Sequence, residues 1–160
     1  MMDKIAEIYT DGSCHTQCGI GAWVAIILTG KEKKSLSDTV KQTTHNRMEL
    51  TAVIKSIEYI LEHRDEVTAL RIYTDSQYVK GLPARKEKLV ASNYLTAKGT
   101  GLQNADLVKK LYELLSLIPV ELIKVRAHEK QQDAVINYNR EADMLSRSLV
   151  RKAVMLLVHQ

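Results

Sequence analysis

The sequence has 160 residues, 45% of them hydrophobic and 26% charged, with a formal net charge of +4. Those values exclude wholesale disorder. No apolar run reaches the roughly 20 residues of a membrane span, so no membrane association is expected. One domain over residues 1–160 is expected, because a chain of this size buries about two thirds of its surface. The opening Met1-Met2-Asp3-Lys4-Ile5 lacks a signal peptide's apolar core, so a cytoplasmic protein is expected. Two cysteines, Cys14 and Cys18, are too few for a disulfide framework and are expected to be reduced. Together with His15 they offer zinc ligands, but a second Cys or His pair at the usual spacing is missing.

Ile5–Thr10 reads as a strand that ends at a turn-like Asp11-Gly12-Ser13. The apolar run from Gly21 to Leu28 suits a buried central strand, and Thr29-Gly30-Lys31 a hairpin into a third strand near Lys33–Val40. From Asn46 the period changes. Leu50, Val53, Ile54, Ile57, Ile60 and Leu61 fall on one face of a helix. Leu70–Thr74 is a further strand, and Ser76–Lys80 starts a short helix. Between Lys80 and Lys98 five cations stand against Glu87, a local charge of +4 that suits a polyanion or a solvated loop. Leu107, Leu111, Leu114 and Leu115 predict a second amphipathic helix ended by Pro119. Val120–Val125 is a fifth strand, and Ala142 to Leu156 carries the last helix. The apolar Val154–Val158 is expected to pack on the sheet rather than to meet a partner. A hairpin opening followed by alternating strands and helices predicts an α/β architecture with a mixed sheet.

One internal echo carries chemistry. Ile8-Tyr9-Thr10-Asp11 recurs as Ile72-Tyr73-Thr74-Asp75. Each Asp could cap the element that follows it. If the two strands are parallel neighbours about 4.8 Å apart, the carboxylates converge at one sheet edge. Two acids so close do not both stay ionised without a cation between them. Glu49, in the first helical turn, and Asp143, at the start of the last helix, are the further acidic candidates, and both positions also suit the helix dipole.

Tyr9–Ser13, Thr44–Leu50, Tyr73–Val79, Asn104–Leu107, His128 and Asn139–Asp143 together resemble type 1 ribonuclease H, in order and over nearly the whole chain. The resemblance implies a ribonuclease H-like fold: an α/β, five-stranded mixed sheet flanked by helices. It implies that Asp11, Glu49, Asp75 and Asp143 are catalytic and hold two Mg²⁺ ions, with Mn²⁺ as a substitute. Hard divalent cations take oxygen ligands, and two of them can flank one phosphodiester. The implied reaction is hydrolysis of the RNA strand of an RNA–DNA hybrid duplex by a monomer, leaving 5′-phosphate and 3′-hydroxyl ends. His128 would assist proton transfer or product departure.

By the same resemblance Gly12, Ser13, Cys14, Asn46 and Gln77 would face the minor groove, where 2′-hydroxyls mark the RNA strand. Thr44 and Asn104 would hold a phosphate of the DNA strand, and Arg85, Lys86, Lys88 and Lys98 would grip the duplex. The chain departs from the family's pattern at a short, glycine-poor Ser13–Gly19 loop and at His45, where Asn is usual. Its basic segment has Tyr94 in place of tryptophans. The stretch from His128 to Asp143 is longer than usual, and Glu129 replaces a small residue. Integrase-like nucleases of related fold, a detached reverse-transcriptase domain and a non-catalytic hybrid-binding module are the rival readings.

Overall fold

In the computed structural model, which describes residues 4–126 and 134–159, the chain opens with strand β1 (Ile5–His15). It turns back through β2 (Ile20–Thr29) and β3 (Glu32–Val40). Helix α1 (His45–His63) leads to β4 (Ala69–Thr74), short helix α2 (Gln77–Gly81), a 3₁₀ turn (Pro83–Arg85) and α3 (Lys86–Ala91). Helix α4 (Ala105–Leu115), β5 (Val120–Lys124) and α5 (Ala134–Val158) complete it. The five strands form one mixed sheet in the order β3-β2-β1-β4-β5. The β1–β2 and β2–β3 pairs are antiparallel, while β1–β4 and β4–β5 are parallel. The fold class expected from the sequence is the one observed. Gly30, at φ +59°, makes the β2–β3 hairpin turn in the left-handed region that glycine tolerates.

Alternation along the strands separates two cores. Ala6, Ile8, Ala25, Ile27, Leu70 and Ile72 pack with Leu50, Val53 and Ile57 of α1 and Val108 and Leu111 of α4. On the other face Tyr9, Val24, Ile26 and Tyr73 pack with Ala142, Leu145 and Leu149 of α5. The two Tyr rings of the sequence echo stack at 4.7 Å, because Tyr9 and Tyr73 are register partners in the parallel pair.

The expected turn at Asp11-Gly12-Ser13 is instead continuous strand, paired with Val24, Trp23 and Ala22. Its glycine serves tertiary packing. A Cβ on Gly12 would lie 2.4 Å from the Glu49 backbone nitrogen and 2.5 Å from the Met48 carbonyl carbon. Helix α1 therefore rests directly on β1 where no side chain intervenes. Gly12→Ala is expected to push the helix away and lower stability by about 3 kcal/mol. Urea unfolding should show this as a lower midpoint at unchanged slope. A loss below about 0.5 kcal/mol would mean the helix is free to back off.

Other expectations need correction. Glu49 lies beyond the first turn of α1, which holds no acid, because the helix starts at His45. Asp143 sits in the interior of α5, since that helix begins at Ala134. Leu61 is 36% exposed, at the edge of the apolar face. Val154–Val158 is only partly covered: Val154 is half-buried, but Met155, Leu156 and Val158 are 60–70% exposed, because α5 runs on past its last buried residue, Val150. Part of the basic segment is helical (α3), with Leu89 as its buried anchor. No helix among the described residues is long and apolar enough to cross a membrane.

Candidate active site

The parallel register that pairs Ile8 with Ile72 and Tyr9 with Tyr73 carries on to set Asp11 beside Asp75. Neither Asp caps a helix. Asp11 is inside β1, and Ser76 caps α2 by accepting the Val79 N–H at 3.1 Å. The intervening threonines fasten the local backbone: Thr10 donates to the Tyr73 carbonyl at 3.1 Å, and Thr74 accepts from the Ser76 N–H at 3.1 Å. Glu49 arrives from α1, brought in by the close seat on Gly12. Carboxylate oxygens of Asp11, Glu49 and Asp75 all lie within 4.8 Å of one another.

Burial makes this cluster electrostatically costly. Asp11 is 4% exposed and Glu49 1%. Burial, then the charge of Glu49, pushes the Asp11 carboxyl up to about 8, against the pull of the Ser146 hydroxyl. Glu49 is pushed up to about 7, again mainly by burial, while its hydrogen bond from His45 holds it down. One buried oxygen of Glu49, Oε2, has no hydrogen-bond partner among the described residues. Three clustered carboxylates with an unpartnered buried oxygen are a donor set for a hard divalent cation. Mg²⁺ or Mn²⁺ fits these residues.

Asp143 stands at the rim. Its side chain is 34% exposed, and Oδ1 pairs with Arg147 Nε at 3.1 Å. Its charge still contributes to the raised Asp11 carboxyl. His128 lies outside the described residues. Cys14, His15 and Cys18 make no second group of three metal ligands among the described residues. Instead Cys14 Sγ donates to the Thr43 carbonyl at 3.5 Å, and His15 Nδ1 accepts the Cys18 N–H at 3.2 Å.

The expected substrate-facing residues divide. Asn46 and Gln77 are exposed beside the cluster, while Gly12 is buried under α1 and Cys14 is half-buried. Thr44 caps α1, accepting the Arg47 N–H at 3.3 Å. Asn104, in the left-handed region at φ 64°, accepts from Arg47 Nη1 at 3.3 Å and donates to the Tyr78 hydroxyl at 3.4 Å. Arg47 also grips Asp106 through two hydrogen bonds of 3.0 and 2.9 Å. Thr44 and Asn104 are thus tied to one arginine. Arg85, Lys86, Lys88 and Lys98 are exposed, whereas Tyr94 is half-buried, its ring 6.4 Å from Tyr112 and covered by Lys109.

Two site residues were not legible beforehand. Ser146 is fully buried and donates to Asp11 Oδ2 at 2.7 Å, and Ser13 Oγ lies 2.7 Å from Ser146 Oγ. A hydroxyl has one proton, so Ser13 donates to Ser146 and Ser146 to Asp11. The available signal was its spacing, one helical turn beyond Asp143. The other is His45, whose Nε2 lies 3.2 Å from Glu49 Oε1, one helical turn away at (i, i+4) spacing.

The family model described as RNase H matches residues 3–151. A protein named Ribonuclease H from Ehrlichia canis (strain Jake) is 36% identical over 155 residues, covering 95% of this chain and 100% of that protein. Another from Thermoanaerobacter sp. (strain X514) is 34% identical over 152 residues, covering 92% and 91%. A third, from Chlorobium luteolum, is 33% identical over 153 residues, covering 94% and 99%. With the mixed sheet and the carboxylates at its edge, these matches identify the chain as a nuclease and hydrolase that belongs to the ribonuclease H family.

Proposed function

We propose that the chain acts as a single catalytic domain, a cytoplasmic monomer that hydrolyses the RNA strand of RNA–DNA hybrids and leaves 5′-phosphate and 3′-hydroxyl ends. The observation that carries this reading is the group formed by the buried Asp11 and Glu49 and the half-buried Asp75 at the sheet edge, with Glu49 Oε2 unpartnered among the described residues. The names of its relatives point the same way.

Asp11, Glu49 and Asp75 would hold Mg²⁺, or Mn²⁺ in its place, with Asp143 joining from the rim; two ions are expected once substrate is bound. When bound, such ions neutralise the phosphate's charge and make water a better nucleophile near neutral pH. The chain's own residues supply the positioning. Ser146 fixes one Asp11 oxygen, and His45 occupies Glu49 Oε1 so that Oε2 remains for the cation. The exposed Asn46 and Gln77, with Ser13 at the edge, offer short polar groups for 2′-hydroxyls across the minor groove. The half-buried Cys14 would border the same approach, while Gly12, buried under α1, would act through the seat it gives the helix. Thr44 and Asn104, both hydrogen-bonded to Arg47, would take a DNA-strand phosphate. Arg85, Lys86, Lys88 and Lys98 add salt-sensitive grip on the duplex. His128 is assigned proton transfer or product departure.

The test is cleavage of a labelled RNA strand paired with DNA, paired with RNA, and alone, with Mg²⁺ present or chelated. Cutting confined to the hybrid and lost on chelation is the expected result. Binding of the hybrid with no cutting under Mg²⁺ or Mn²⁺ would replace this reading with a non-catalytic binding module. Preference for an all-DNA substrate would point to the integrase-like relatives.

A further inference from the structure

Beside the carboxylates, the end of β1 and the middle of α5 frame a groove of about 380 Å³ lined by Ser13, His15, His45, Arg147 and Arg151, among others. Two hydrogen-bonded links join its wall to the cluster. Ser13 reaches Asp11 through Ser146, in two steps of 2.7 Å, and His45 reaches Glu49 at 3.2 Å. A strand lying with one phosphate at the carboxylates therefore has this groove directly alongside.

The groove's polar groups are not equally engaged. Arg147 and Arg151 project from successive turns of α5, and Arg147 is committed to Asp143 at 3.1 Å. Arg151 is exposed and forms no ion pair among the described residues. His15 is held in a tight turn, its carbonyl accepting the Gly19 N–H at 2.8 Å. Its Nδ1 accepts the Cys18 N–H at 3.2 Å, so the proton of the neutral ring must sit on Nε2. Among the described residues no acid lines the groove. The neighbouring Glu49 and Asp143 are already engaged by His45 and Arg147. An uncommitted guanidinium next to a ring with its N–H fixed at Nε2 suits an anionic phosphodiester, with Arg151 as the multi-donor cation.

We infer that this groove holds a backbone phosphate of the cleaved strand, flanking the phosphate at the carboxylates, with Arg151 and His15 as its ligands. The inference rests on the proposed hydrolysis of hybrids and deepens it, because it assigns a contact that reads no base.

The test compares wild type with Arg151→Ala, using Lys31→Ala as a control. Lys31 sits in the β2–β3 turn, at the end of the sheet away from Asp11. Steady-state cleavage of a hybrid should show KM raised about five- to tenfold in Arg151→Ala and kcat within about twofold. Anisotropy binding in EDTA between 50 and 200 mM salt should show the slope of log K against log salt smaller in magnitude by about 0.9, one phosphate contact's worth. Arg151→Lys should recover part of the loss. A neutral methylphosphonate next to the cleaved linkage should weaken wild type and leave Arg151→Ala nearly unaffected. Wild-type KM and salt slope in Arg151→Ala, with hybrid cleavage intact, would overturn the groove assignment alone. Failure of the wild type to cut or bind any hybrid would overturn both readings.

Discussion

Asp11→Asn is expected to abolish hydrolysis and, in the metal-free protein, to raise thermal stability. The loss follows from the position of Asp11 in the group of three carboxylates, 4% exposed and oriented by Ser146. An amide keeps the shape but gives up the charge that a divalent cation needs. If that contact supplies about 4 kcal/mol at the transition state, activity falls about a thousandfold. The gain in stability has the same origin. The ionised Asp11 carboxyl is opposed by burial and by Glu49, Asp75 and Asp143, and a neutral amide removes all of these. Near pH 8 the variant is expected to melt on the order of 5 °C higher in EDTA, which corresponds to about 2 kcal/mol for a domain of this size. Circular dichroism melts and hybrid cleavage on one preparation check both halves. Lost activity with a lower melting temperature would show that Asp11 is needed for folding, and would contradict the electrostatic account.

The second large effect is a pH dependence of opposite sign to that of most carboxylates. Free carboxyls titrate near pH 4, whereas Asp11 and Glu49 titrate at about 8 and about 7 in the folded chain. Between those limits the folded state binds protons that the unfolded state has released. Folding stability from this pair is therefore highest below about pH 4, falls as pH rises towards about 8, and levels off above it. Mg²⁺ competes with those protons, so it should stabilise at pH 8.5 and do little at pH 5.5. With a dissociation constant near 1 mM, 10 mM Mg²⁺ would contribute about 1.4 kcal/mol and raise the melting temperature by about 3–6 °C at the higher pH. Asp11→Asn combined with Glu49→Gln should flatten the response both to pH and to the ion. An equal Mg²⁺ shift at pH 5.5 and 8.5, or one surviving in the double variant, would place the ion elsewhere.

The sequence made the central pairing legible because the echo of Ile8–Asp11 in Ile72–Asp75 is a literal record of the register. A strand that repeats its neighbour residue for residue brings like side chains together, here the stacked Tyr9 and Tyr73 and then the two acids. The face of α1 was similarly open to periodicity, apart from the exposed Leu61. Features decided by tertiary contact were hidden. Asp-Gly-Ser has turn chemistry, and its pairing with β2 and the seat of α1 on Gly12 are tertiary contacts that local composition does not show. The apolar period is weak before Ala142, so it does not mark the start of α5 at Ala134. Ser146 is an ordinary helix-surface residue until β1 lies against it, when it becomes Asp11's hydrogen-bond donor.

The Gly30–Lys31 hairpin tip has a practical consequence. Antiparallel pairing of β2 with β1 sets Leu28 opposite Glu7, so this tip lies at the end of the sheet away from Asp11 and Asp75. Its residues are exposed, and the turn is a two-residue loop of the kind that accepts insertions. A tether or fusion partner spliced there would anchor the molecule with its reactive edge facing outward. An immobilised form built this way should retain the chemistry of the free one.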